Sequence, residues 1–260
     1  MGNNMNQHSA RYTSLEQRVV FITGGGSGIG ASLTRAFHLQ GARVVFVDIN
    51  DEASEALVEE LHVETGEAPH YHHCDIRDVA SLQQVIAETG QHLGPIHTLV
   101  NNAASDDRHA WQDVDVAYWD ERMSLNLRPM FFAAQAAAEQ MMQAGGGSII
   151  NFGSVSVQMA LGGLPAYVTA KAAVHGLTRS LARELGEHNI RVNTLVPGSV
   201  MTERQLEKWI SPGDEVAIQQ RQCLKMRLEP QHIAPAVLFL ASAESQAITA
   251  QELAVDAGWA

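Results

Sequence analysis

Tyr167 and Lys171 stand four residues apart in the stretch Tyr167-Val168-Thr169-Ala170-Lys171. In a helix that spacing puts both side chains on one face. A phenol is a poor base at its ordinary pKa of about 10, and a neighbouring ammonium charge favours the phenolate. Ser154 lies thirteen residues before Tyr167, at the end of an apolar run. Its hydroxyl could hold a substrate oxygen beside the phenol. Taken alone, Tyr-x-x-x-Lys is a common accident of helices, so its weight depends on the rest of the chain.

A second chemistry is carried by Gly24-Gly25-Gly26-Ser27-Gly28-Ile29-Gly30, set between the apolar run Val19–Thr23 and a helical pattern over 28–39. A tight glycine turn lets the backbone approach a pyrophosphate, and the helix N-terminus offers free N–H groups to its charge. Gly24, Ser27, Gly28, Ile29 and Gly30 are therefore candidate phosphate-binding positions. Asp48 closes the second apolar run, eighteen residues after Gly30. A carboxylate there can accept hydrogen bonds from both adenosine ribose hydroxyls and would repel a 2′-phosphate; its other reading is the cap of the helix that follows. No Arg or Lys lies between Gly24 and Ala31 or just after Asp48, so NAD is expected over NADP. Asp75, followed by Ile76, could bond the adenine amino group. Asn101-Asn102-Ala103-Ala104 ends the fourth run beside the pyrophosphate, which adds Asn102 and Ala103 to the cofactor positions.

The elements that must hold these groups alternate. Strand-like runs fall at 19–23, 43–48, 70–76, 98–103, 148–152, 191–196 and 252–256, with helical patterns at 28–39, 52–64, 79–90, 116–143, 166–185 and 231–241. Strands separated by helices of this length imply right-handed crossovers and a parallel sheet. The expected fold is α/β: a single doubly wound Rossmann domain over 15–260, with a parallel seven-stranded sheet and helices on both faces. Residues 1–14 are polar, lack an apolar export segment, and read as a flexible leader. Ser211-Pro212-Gly213 divides a region with no strand of its own, 203–226, into two short helices that read as a lid above the sheet. Within it Leu206, Trp209 and Ile210 fall on one helical stripe.

Composition narrows the function classes. The chain has 260 residues, of which 45% are hydrophobic and 18% charged, enough to bury a core. Lys and Arg number 17 against 29 acidic residues, a net charge of −12, which argues against nucleic acid and anionic membranes as partners. No apolar run approaches the roughly 20 residues of a spanning helix. Cys74 and Cys223 have no metal-ligand or redox spacing and are expected as buried free thiols in a reducing compartment, the cytoplasm. His70, His72 and His73 invite a metal reading, but no further ligand has recognisable spacing, so no metal is expected.

Taken jointly, Thr23–Gly30, Asp75, Asn101–Ala104, Asn126, Ser154, Tyr167 with Lys171, and Pro197-Gly198 with Thr202 resemble the short-chain dehydrogenase/reductase family over nearly the whole chain. The resemblance implies Tyr167 as general acid/base and Lys171 as the group that lowers its pKa and holds the nicotinamide ribose. It implies Ser154 as the residue orienting the substrate oxygen, and Asn126 as the holder of a water linking Lys171 to solvent. Pro197, Gly198, Val200 and Thr202 would meet the nicotinamide carboxamide. One departure is Ala104, where the family usually has glycine, a possible strain if that residue needs a positive φ. Asp106–His109, Tyr118–Arg122, Gln222–Lys225 and Asp256–Trp259 also resemble the bacterial aldose 1-dehydrogenases of the D-xylose type. That implies oxidation of a cyclic pentose or 6-deoxyhexose at C1 to the lactone, in a homotetramer. Asp106, Arg108, His109, Ser156, Gln158, Gln205 and Trp209 would then meet the sugar beside Ser154 and Tyr167. Gln158 and Gln205 are the expected partners of the ring hydroxyls. The alternatives are a 3-oxoacyl reductase or a secondary-alcohol or steroid dehydrogenase, and, from another class, a dinucleotide-binding sensor without turnover.

Overall fold

The computed structural model describes residues 10–260. Seven strands, β1 (Val19–Thr23), β2 (Arg43–Asp48), β3 (His70–His73), β4 (Ile96–Asn101), β5 (Gly147–Phe152), β6 (Ile190–Pro197) and β7 (Glu252–Val255), form one sheet in the order β3-β2-β1-β4-β5-β6-β7. Every pairing is parallel. Helices α1 (Gly28–Leu39), α2 (Asp51–Thr65), α3 (Val79–Leu93), α4 (Val116–Asn126), α5 (Arg128–Gln143), α6 (Pro165–Leu185) and α9 (Ala234–Ala241) make the crossovers, while α7 (Glu203–Lys208) and α8 (Pro212–Arg221) lie between β6 and α9. This is the doubly wound Rossmann arrangement the alternation of patterns predicts.

Burial on both faces explains why the strands are apolar nearly throughout. Along β1 the side chains alternate: Val20 and Ile22 join a core with Phe37, Phe46 and Leu238, while Val19 and Phe21 join a second core with Ile86, Ala137 and Met141. The topology reverses between β1 and β4, so the carboxyl ends of those strands diverge into a crevice, the usual ligand position in open α/β sheets.

Four expectations are corrected. The pattern over 116–143 is not one helix: Leu127 leaves helical geometry (φ −134°, ψ −54°), because Pro129 cannot continue the preceding turn. The third strand ends at His73 rather than Ile76, and α8 stops at Arg221, with 222–226 in turns. Cys74 is buried, but Cys223 is exposed. As for the proposed leader, residues 1–9 lie outside the described residues. Its last residues are anchored: Gln40 donates to the Ala10 carbonyl and accepts from the Tyr12 N–H.

The histidines of β3 turn to other work. His73 pairs with Asp51 at 2.7 Å. Among the described residues no cluster of His, Cys, Asp and Glu is arranged to hold a metal ion, and no helix is long and apolar enough to cross a membrane.

Candidate active site

Over the carboxyl ends of the strands lies a cavity of about 910 Å³ that runs from Asp48 to the lid. A separate groove of about 660 Å³ between α3 and α5, lined mainly by glutamines, holds none of the chemistry-bearing residues. The main cavity gathers Gly24, Ser27, Ile29, Gly30, Asp48, Asp75, Ile76, Asn102 and Ala103 at one end. At the other it gathers Ser154, Ser156, Tyr167, Lys171, Pro197, Gly198, Val200, Thr202, Gln205 and Trp209, with Asp106 and Arg108 above.

The glycine turn leaves no room for side chains. Gly24 adopts φ +67° and Gly28 φ +54°, and a Cβ on Gly30 would lie 1.7 Å from the Gly24 carbonyl oxygen. Gly28 does not itself line the cavity; its open side is covered by the Thr202 methyl. The Ser27 side chain caps nothing, so the first amides of α1 face the cavity free for an anion. These features fit a pyrophosphate. Asp48 is not the cap of α2, a role taken by Asn50. Its carboxylate accepts from Gly26 N at 2.9 Å, Ile49 N at 2.8 Å and Asn50 N at 3.0 Å. Of its roughly four lone-pair positions, one on Oδ2 remains for a ribose hydroxyl, fewer than the two bonds expected. Asp75 is held by Arg77, whose Nε reaches both carboxylate oxygens at 2.9 Å, and the guanidinium keeps that carboxyl below the ordinary range. Arg77 lines the cavity and was not among the expected site residues, because it enters from beyond β3 and not from the segments that follow β1 and β2. Glu121 also pairs with it. Ala104 has no positive φ, so the substituted glycine costs no strain.

Two devices fix α6, the helix of Tyr167 and Lys171. A buried polar chain runs from Asn101 to Asn151 (2.9 Å), from Asn151 to Thr178 (3.0 Å) and from Thr178 to Thr194 (2.8 Å), tying β4, β5 and β6 to the middle of α6. At its start, His109 Nε2 accepts from the Ala166 N–H at 3.3 Å, and His109 Nδ1 meets the Tyr118 hydroxyl at 2.8 Å. Both ring nitrogens are occupied and His109 does not line the cavity, so it holds the helix and not a substrate.

Lys171 is wholly buried and donates to the Phe152 carbonyl at 2.7 Å; burial lowers its pKa to about 7. Tyr167 is raised to about 12, mainly by desolvation, with the Ser154 hydroxyl as the largest opposing influence. Lys171 Nζ is 5.7 Å from the Tyr167 ring centre, and it is Ser154, then Arg108 and Arg204, that pull the phenol down here. Ser154 Oγ is itself bonded by Ser156 Oγ at 2.8 Å. Asn126 lies buried at the break between α4 and α5, and its amide is spent on the Ser105 backbone (2.8 and 3.1 Å). Its side chain therefore anchors the loop after β4, using one N–H and one lone pair of the amide.

Above the cavity that loop is clasped by the lid. Arg204 on α7 reaches Asp106 (3.2 Å), Asp107 (2.6 Å) and Ser105 (3.1 Å), and Gln205 donates to Asp106 at 2.8 Å. Arg108 stacks over Trp209 at 5.7 Å. Gln158 is exposed and absent from the cavity: the turns after Ser156 carry it to solvent and bring Leu161 and Leu164 to the wall instead. Sequence reasoning missed Arg204, Leu161 and Leu164, and none is marked by a local pattern.

A family model described as enoyl-(acyl carrier protein) reductase matches residues 24–260. The chain is 51% identical to D-xylose 1-dehydrogenase of Caulobacter vibrioides over 251 residues, covering 96% of this chain and 99% of that one. It is 48% identical to a protein of Rhizobium meliloti described as a probable galactose dehydrogenase, over 96% and 98% of the two chains. Among solved structures, a 7α-hydroxysteroid dehydrogenase complexed with NADH and 7-oxoglycochenodeoxycholic acid superposes with a TM-score of 0.90 at 32% identity, over 95% and 96% of the chains.

Proposed function

The chain belongs to the short-chain dehydrogenase/reductase family, oxidoreductases that use nicotinamide dinucleotides, and from that premise we propose that it oxidises a cyclic aldose, a pentose or 6-deoxyhexose, at C1 to the lactone with NAD. When bound, the oxidised nicotinamide supplies the acceptor for the C1 hydride. The glycine turn and the first amides of α1 would hold the pyrophosphate, Asp48 a ribose hydroxyl, and Pro197 to Thr202 the carboxamide side.

Tyr167 takes the proton of the C1 hydroxyl, and Ser154 Oγ, steadied by Ser156, orients that oxygen. Lys171, when protonated, sets an ammonium near the phenol, and a bound cofactor's positive ring would add to the pull toward phenolate. The clasp of α7 onto the loop after β4 shuts water away from C1.

One observation carries the sugar reading: Asp106, Arg108, Arg204 and Gln205 crowd the same cavity as Tyr167 and Ser154. These groups bond one another across the clasp and retain further donor and acceptor positions; a hydrocarbon would exclude water from those positions without replacing it, whereas a sugar has hydroxyls to meet them. The second reading, a secondary-alcohol or steroid dehydrogenase, is favoured by Leu161 and Leu164 on the wall where Gln158 was expected. The deciding test is reduced-cofactor formation across a panel of aldoses, aliphatic alcohols and steroids, each with NAD and NADP. Turnover of pentoses with NAD is expected; turnover confined to alcohols or steroids selects the second reading. A preference for NADP would overturn the role of Asp48.

The same reading makes the protein a cytoplasmic homotetramer. Its support is the unpartnered outer surface of α4 and α5, where Val116, Trp119, Phe131 and Met142 are exposed.

A further inference from the structure

Beyond β7 the chain makes a hook that costs conformational energy. Ala257 (φ +59°) and Gly258 (φ +73°) are consecutive left-handed residues, and such a conformation is unfavourable for alanine by about 1–2 kcal/mol. The hook is over-determined. The buried Asp256 carboxylate accepts from the N–H groups of Gly258 (2.8 Å), Trp259 (3.1 Å) and Ala260 (2.9 Å). The carbonyls of Gly258 and Ala257 accept from Cys223 and Leu224, just after α8, at 3.0 and 2.9 Å. A Cβ on Gly258 would come within 2.8 Å of the Cys223 Cβ, so no larger residue fits there without displacement. The other side of the hook rests on Gly198, where a Cβ would lie 2.6 Å from the Asp256 Cα. Strain held this firmly in place is the kind that serves a site.

The product of the hook is the placement of Trp259. Trp259 lines the main cavity together with Trp209 of the lid, and both indole N–H groups are buried without a hydrogen-bond partner. β7 is the edge strand next to β6, so Trp259 enters on the Pro197-Gly198 side of the cavity and far from Asp48. We propose that Trp259 is a specificity-determining residue of the substrate site, presenting its indole to the C–H face of the sugar ring, and that Asp256 is the positioning residue that sets it there. A sugar ring is amphipathic: its hydroxyls suit Asp106, Arg204 and Gln205, and its C–H face requires a flat apolar partner. An indole supplies a large rigid apolar face, and the N–H edge of Trp259 is turned into the protein, away from the cavity. The proposal rests on the aldose reading, since a ligand without that two-sided character would not need both walls.

The test is steady-state kinetics of Trp259→Ala, Trp259→Phe and Asp256→Asn against wild type, with tryptophan emission followed on titration with the aldose in the absence of NAD. Trp259→Ala should raise KM for the aldose about tenfold, with KM for NAD and kcat within about twofold. Trp259→Phe, which keeps a flat ring and the packing of the hook, should recover most of that loss. Asp256→Asn should reproduce the aldose KM defect with every cavity side chain intact. Sugar should change the emission of wild type more than that of Trp259→Phe. Unchanged aldose KM in Trp259→Ala, or equal rises in both KM values, would overturn the proposal while wild-type aldose turnover leaves the function standing. A wild type that oxidises no aldose removes the function and this proposal together.

Discussion

Burial sets the two central ionisable side chains against their charged forms, Tyr167 raised to about 12 and Lys171 lowered to about 7. The proposed reaction needs the phenolate, so kcat/KM for sugar oxidation should rise from pH 7 to 10; a flat profile with chemistry rate-limiting would contradict Tyr167 as base. Tyr167→Phe should keep its fold and cofactor affinity and lose about 10²–10⁴ in turnover, and a variant retaining a tenth of wild-type activity would dismiss the role. Lys171 makes a separate prediction about stability. Its pKa is about 7 folded against 10.5 for the unperturbed group, so between those values the unfolded chain binds a proton the folded one does not. Stability from this group therefore rises with pH across that window. Lys171→Met should remove the slope, so its advantage in urea midpoint over wild type should shrink from pH 7 to 10. Parallel pH dependences would show that the lysine is not desolvated.

At the scale of elements the lid is held by charge. Arg204, Gln205 and Lys208 on α7 all face Asp106 and Asp107, and these partly exposed pairs are worth about 0–1 kcal/mol each. Arg204→Ala should raise KM for the sugar about fivefold and leave KM for NAD within about twofold, and added salt should weaken wild-type sugar binding in the same direction. Salt-independent KM in both proteins would argue that the clasp does not gate the site. The elements also show where sequence reasoning reached and stopped. Tyr167 with Lys171, the glycine turn and Asp48 were legible because each depends on chemistry carried within one segment at a fixed strand or helix end. Gln158 and His109 were misplaced because their direction is set by turns after β5 and by the start of α6, which have no period. The break at Leu127 was written in Pro129, yet the apolar pattern on both sides masked it. The Asn101–Asn151–Thr178–Thr194 chain joins four elements, so no window of sequence contains it.

For the whole molecule, apolar side chains left on α4 and α5 predict assembly. A closed symmetric oligomer would bury them in isologous contacts. Light scattering should give about four times the 28.2 kDa chain mass, and a monomer at assay concentrations would refute the tetramer. The carboxyl ends of the strands, the glycine turn and the clasped lid all border one cavity. The most direct measurement is oxidation of an aldose deuterated only at C1, with NAD, followed by mass analysis of both products. The account predicts deuterium transferred to the reduced cofactor, an unlabelled lactone and a slower rate than with the protiated sugar. Label retained in the oxidised sugar, or no transfer from any aldose, would contradict it.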